Sequence, residues 1–270
     1  MSVYDATPEE EISQAAERMA VRALAVFHTV EGADAPRPDA LEDSKPALAA
    51  ARVLGADLFA PYLLTRRPLH AELEEAVALA QAFQLFPAAA SGVAAAGAAA
   101  VPAAGVEGAG AVESAGSVVA WRDWAAGHLL SRCAPAASAG PLAAVSAPGP
   151  APMPERCPVL GDELRWREWA GWMAQVSPLA LPGIDSPVHE AALRNTRALA
   201  RGAVRAMLRR DYRTAARIAR WLALGRSLGA DSPLDLAPML RHLRMFGGPS
   251  ARTALDLCVG ERLVEAAGEL

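Results

Sequence analysis

Apolar residues recur along most of this chain at three- and four-residue intervals, the spacing of one helical face, and nowhere alternate with polar ones long enough to make a strand. Thr7-Pro8-Glu9-Glu10 reads as a helix start: a threonine cap, a proline in the first turn and acids at the positive end of the dipole. Ile12, Ala15, Ala16, Met19, Leu24 and Phe27 then mark one face as far as Thr29, and Gly32 to Pro38 reads as a loop. A second helix is predicted from Lys45 to Gly55, with Leu48, Ala51 and Leu54 on one side. After a short apolar turn at Ala60-Pro61-Tyr62-Leu63-Leu64, a third is predicted from His70 to Phe86 on Leu73, Val77, Ala80 and Phe83.

The segments Pro87–Ser117 and Ala134–Pro154 are low in complexity, built of Ala, Gly, Val and Pro. Such stretches carry few bulky side chains to offset ordering entropy and read as insertions or linkers. Between them Val118–Arg132 predicts a short amphipathic helix with Trp121, Trp124, Leu129 and Leu130. Order returns at Gly161, where Asp162 can cap a helix carrying Leu164, Trp166, Trp169, Trp172, Met173 and Val176. Ser186-Pro187 opens what reads as one long helix to Arg210. Asp211 interrupts it, and Tyr212–Leu228 follows, closed by Gly229. Leu234–Phe246 and Ser250–Ala267 complete the set. The expected fold is all-α: a multi-helix bundle with a low-complexity Ala/Gly/Pro-rich insertion in the middle. Its regions are 1–86, N-terminal and helical; 87–160, the insertion with one short helix; and 161–270, C-terminal and arginine-rich.

Charge is unevenly spread. Met1–Phe86 holds 7 basic and 14 acidic side chains, whereas Pro187–Leu270 holds 14 basic and 8 acidic. Either the basic end meets an anionic partner, or the two ends pair with each other. Lys45 is the only lysine, so the positive charge is almost wholly guanidinium, whose planar fork matches phosphate. Cys133, Cys157 and Cys258 are odd in number and show no metal or CxxC spacing, and the acidic N-terminus does not read as a secretory signal. A reducing, cytoplasmic setting is expected. The charge-free run between Glu75 and Glu107 is long enough to span a bilayer, but Pro87, Gly92, Gly97, Pro102 and Gly105 interrupt it, so no membrane association is expected.

Ten arginines fall between Arg194 and Arg226, with Asp211 the single acid among them. Arg194, Arg197, Arg201, Arg205, Arg209, Arg210, Arg213, Arg217 and Arg220 follow one another mostly at three or four residues, so neighbours share a helical face and repel. This is the electrostatic footprint of a phosphate backbone, and these nine are the candidate nucleic-acid-binding residues. The alternatives are pairing with acids of the same molecule or of a partner protein, or a solvated face. Steps of four drift by about 40° on a helix, so the break at Asp211 decides whether the track keeps one facing.

Catalytic signatures are missing. His189-Glu190 opens like a zinc-protease motif, but Leu193 stands where the second histidine belongs; no GxSxG, Walker or GxGxxG pattern occurs. Glu72, Glu74 and Glu75 read as a solvated helix face, and His28, His70, His128, His189 and His242 as structural or exposed. No catalytic residue, metal site or cofactor is expected. Trp121, Trp124, Trp166, Trp169 and Trp172 read either as core packing or as anchors of a protein interface.

Two stretches resemble the small subunit (CasB family) of the type I-E CRISPR surveillance complex, Cascade. The first is Pro46–Gly55, followed by Phe59-Ala-Pro-Tyr-Leu63 and Glu74–Phe86; the second is Leu208-Arg-Arg-Asp-Tyr-Arg213, then the helix to Leu228, Leu234–Phe246 and the last helix. Met245-Phe246 stands where that family has a tryptophan, and the alanine-rich middle has no counterpart. The resemblance implies a helical, non-enzymatic subunit. It would contact the backbone of single-stranded DNA or an RNA–DNA hybrid beside other subunits, with a second copy of itself possible, leaving sequence to base pairing. Only Arg209, Arg210, Arg213, Arg217 and Arg220 would carry that role by resemblance. The competing readings are a helical protein–protein adaptor and a helical enzyme of specialised metabolism.

Overall fold

A computed structural model describes residues 7–29, 44–70, 73–87, 106–133, 142, 149–152 and 165–268. The fold is all-α, and no strand occurs among the described residues. The first elements are α1 (Pro8–Thr29), α2 (Lys45–Leu54), a 3-10 turn (Gly55–Phe59), α3 (Ala60–Leu64), α4 (Glu74–Leu85) and α5 (Val106–Cys133). After them come α6 (Trp166–Gln175), a second 3-10 turn (Ser177–Leu179), α7 (Pro187–Arg194), α8 (Thr196–Leu208), α9 (Tyr212–Ser227), α10 (Leu236–Phe246) and α11 (Ala251–Gly268).

The centre of the molecule is α9. It packs against α11 most extensively, then α8, and also touches α6, α7 and α10. Ten consecutive or near-consecutive residues from Ala215 to Gly225 are buried, so this helix is enclosed nearly all round. Small side chains allow the close approach of its neighbours. At the crossing of α6 and α8, a Cβ on Gly202 would overlap the methyl of Ala170.

The N-terminal helices close over the same core. α1 lies against α2 and α11, α2 against α4, and α5 against both 3-10 turns. The buried apolar residues of all three sequence regions form one cluster, from Ala15 to Leu263. The apolar stretch 45–64 is long enough by composition to cross a membrane, and 67% of its most apolar window lies inside this core.

Several boundaries differ from expectation for local reasons. The stretch expected as one helix from Pro187 is broken at Asn195, whose side-chain amide donates to the Ala191 carbonyl and competes with the helical pattern. α4 starts at Glu74, not His70, behind Leu73. α10 starts at Leu236, not Leu234. α5 begins twelve residues before the expected Val118. The apolar turn at Ala60–Leu64 is a short α-helix. The proposed Asp162 cap and most of the low-complexity segments lie outside the described residues, as do Glu72 and Cys157.

Candidate nucleic-acid interface

The arginine track is divided by the helix breaks into parts with different fates. Arg194 ends α7 and pairs with Glu190 at the surface, 3.1 Å away. Arg197, Arg201 and Arg205 follow along α8, with Arg209 at its C-cap; Arg205 is half-buried and the other three are exposed. No carboxylate among the described residues lies within ion-pair distance of these four. Arg209 and Arg210 occupy the turn into α9. There the Asp211 amide reaches back to the Ala206 carbonyl and Arg210 takes the left-handed conformation, φ 60°. Asp211 then caps α9, its carboxylate accepting from the Thr214 amide.

On α9 the track turns inward. Arg213 remains exposed. Arg217 is partly covered and lies 3.5 Å from the Asp256 carboxylate. Arg220 is fully buried, and its two terminal nitrogens donate to Asp256 at 2.7 Å and Asp57 at 2.8 Å. Although burial opposes the charge, the two carboxylates hold this guanidinium protonated beyond its ordinary range. Arg220 therefore cannot be a backbone-contacting residue: no external phosphate reaches it, and its charge is spent inside. Arg217 is half withdrawn from the expected set: its side chain is 23% exposed and shares Asp256 with Arg220. Beside them the Arg122, Arg213 and Arg252 guanidiniums are pushed down by burial and, in each case, by the nearby Arg217.

The outward face of α8 lines a groove of about 620 Å³. Arg197, Arg201, Arg205 and Arg209 recur every four residues, and Ala200, Val204 and Leu208 each follow an arginine by three, so the two sets share one side of the helix; Trp166, Pro233 and Leu234 complete the lining. The helix has another stripe, Leu199, Gly202, Ala203 and Ala206, buried in the protein. A second apolar row is covered only at its start: Ala200 is 5% exposed, Val204 40% and Leu208 81%. The Arg201 guanidinium carbon lies 4.9 Å from the centre of the Trp166 ring, and that of Arg167 5.5 Å.

The tryptophans separate in the same way. Trp121, Trp169 and Trp172 are buried in the core, so as interface anchors they are corrected: their rings have no face left for a partner. Trp124 is partly buried, donates to the Gly149 carbonyl and meets Trp121 edge-on. Of the five, only Trp166 belongs to the groove. The buried Trp221, not foreseen in any role, donates to the Met173 carbonyl and meets His189 edge-on.

The acidic cluster is also corrected. Glu75 is buried rather than solvated, bonded to Arg22 at 3.0 Å and to the Tyr62 hydroxyl at 3.0 Å, while Glu74 takes the same arginine at 2.6 Å. Burial and the Glu75 charge raise the Tyr62 phenol above its usual range. His189 is buried with both ring nitrogens bonded. Nε2 faces the Leu179 carbonyl at 2.9 Å and must donate, so Nδ1 accepts from the Ser186 hydroxyl at 2.8 Å. None of the five histidines lines the groove. No group of three or more His, Cys, Asp or Glu side chains that could hold a metal occurs among the described residues.

Sequence reasoning missed Val204, Leu208 and Leu234. The signal was present: an apolar residue precedes each of three arginines, at Ala200-Arg201, Val204-Arg205 and Leu208-Arg209. The two residue types therefore interleave on one face. No family model, curated protein or solved structure matches this chain.

Proposed function

We propose that this chain is a non-catalytic nucleic-acid-binding subunit that takes a phosphate backbone along the outer face of α8. One observation carries the reading: four guanidiniums share one accessible stripe, and no carboxylate of the described protein is near enough to neutralise them. Successive arginines there are separated axially by about 6 Å, four residues at 1.5 Å each. Arg210 and Arg213 extend the positive surface past the turn. The resemblance to the CasB family, which reaches this surface at Arg209, Arg210 and Arg213 and leaves Arg197, Arg201 and Arg205 to the charge argument, supplies the larger setting: a CRISPR surveillance complex in the cytoplasm whose displaced or guide-paired strand the surface would steady beside other subunits.

The test is binding of a fluorescent single-stranded oligonucleotide across a salt series. Four neutralised phosphates predict a log-affinity slope near −3 against log salt, from roughly −0.7 per phosphate on single strands. Replacing Arg197, Arg201, Arg205 and Arg209 together by Gln removes most of that slope. No binding at low salt, or a slope near zero, overturns the reading. The exposure of Leu208 favours a second reading, an adaptor that docks an acidic amphipathic helix in the groove.

A further inference from the structure

We infer that the α8 groove holds unpaired bases, so that this face selects a single strand with free bases over a bare polyanion or a duplex. The inference rests on the nucleic-acid reading of the arginine stripe and adds what lies between the arginines. Charge alone would be served by any outward face. Here the exposed Val204 and Leu208 alternate with the arginines, and Trp166, Pro233 and Leu234 line the same groove of about 620 Å³. That is within the ~300–1,000 Å³ of ordinary ligand pockets, and larger than one base requires.

A duplex turns its sugar–phosphate surface outward and keeps its bases stacked inside, which would leave this apolar lining in water. A single strand can lay phosphates on the rim while turning bases in. The Arg201–Trp166 contact adds a flat element to the groove wall, because a guanidinium held near an indole ring offers a plane on which a base can stack. Arginines every four residues, each with an apolar residue three further on, therefore match a ligand that itself alternates charged and flat apolar parts.

Three probes at one salt concentration test this: oligodeoxyadenylate, an abasic strand with the same number of phosphates, and a duplex of the same length. The adenylate is expected to bind at least about ten-fold more tightly than the abasic strand, from the usual contribution of one stacked base. Leu208→Ser, at a position too exposed to threaten folding, should lower adenylate affinity towards the abasic value while leaving abasic binding unchanged, whereas Trp166→Ala, which also releases Arg201, should weaken both and adenylate the more. Equal affinity for adenylate and abasic strand overturns the inference and leaves the phosphate reading standing. Failure of all three to bind overturns both. An acidic amphipathic peptide that occupies the groove and is not displaced by adenylate also overturns it, in favour of a protein partner.

Discussion

Helices α8 and α9 both carry arginines three or four residues apart, yet α8 keeps its set at the surface while α9 half covers Arg217 and buries Arg220 between the exposed Arg213 and Arg226. On α8 the arginines share their stripe with Val204 and Leu208, while a separate stripe of Leu199, Gly202, Ala203 and Ala206 fills the core. On α9 almost every position from Ala215 to Gly225 is enclosed, so Arg220 has no exit and is met by Asp57 and Asp256. Spacing reports which residues share a face. What that face touches depends on how much of the remaining circumference is apolar.

The contrast can be broken most forcibly at Arg220. Arg220→Ala would strand two buried carboxylates, and breaking a buried pair in this way costs about 3–5 kcal/mol. The same truncation at the partly exposed Arg205 is expected to stay within about 0.5 kcal/mol, as for surface changes generally. Urea denaturation of the two variants measures both, and equal losses would erase the distinction between the helices.

Acid sharpens the comparison, because the buried side contains a titratable group that the arginine stripe does not. Burial lowers the pKa of His189 below its ordinary 6.5, so the folded protein keeps the ring neutral where the unfolded chain takes up a proton. Stability is therefore retained above pH 6.5 and lost as pH falls below it, by up to about 1.4 kcal/mol per unit until the folded protein also protonates. His189→Asn should flatten that part of the stability–pH profile, even if the variant is less stable throughout.

The smallest expected effect lies at the junction. Arg210 holds φ 60° without being glycine, which costs an L-residue about 1–2 kcal/mol. Arg210→Gly should stabilise the protein by about 1 kcal/mol or less and raise its midpoint in thermal denaturation, while removing one charge beside the groove. No gain would mean that the side chain contributes to the turn through contacts of its own.

Much of this architecture could be read locally. Pro8, Pro187, Asp211 and Gly229 act within a turn of themselves, and the helix limits they predict agree with the structure to within a few residues. The break at Asn195 was hidden because an asparagine tolerates a helix and only sometimes leaves it. The early start of α5 was hidden because Gly108, Gly110 and Gly116 each argue against helix by roughly 1 kcal/mol. The fate of Arg220 had no neighbourhood signal, since its counter-ions lie 163 and 36 residues away. The apolar run Ile218–Leu224 around it was the available hint: a helix apolar all round is buried, and a buried arginine needs a carboxylate. The groove was half legible, its basic half by charge and its apolar half obscured because Val204 and Leu208 look like core.

The carboxylate of Glu17 closes the start of α11. Its two oxygens accept from the Ser250 hydroxyl at 2.9 Å and the Ala251 amide at 2.6 Å. A residue of the first helix thus completes the last one, across 234 positions of chain. On the ribosome α1 must wait for the chain between them to be translated before it finds this partner, and loop closure over that distance is slow. Until then α1 has only the nearer helices, α2 and α3, to pack against.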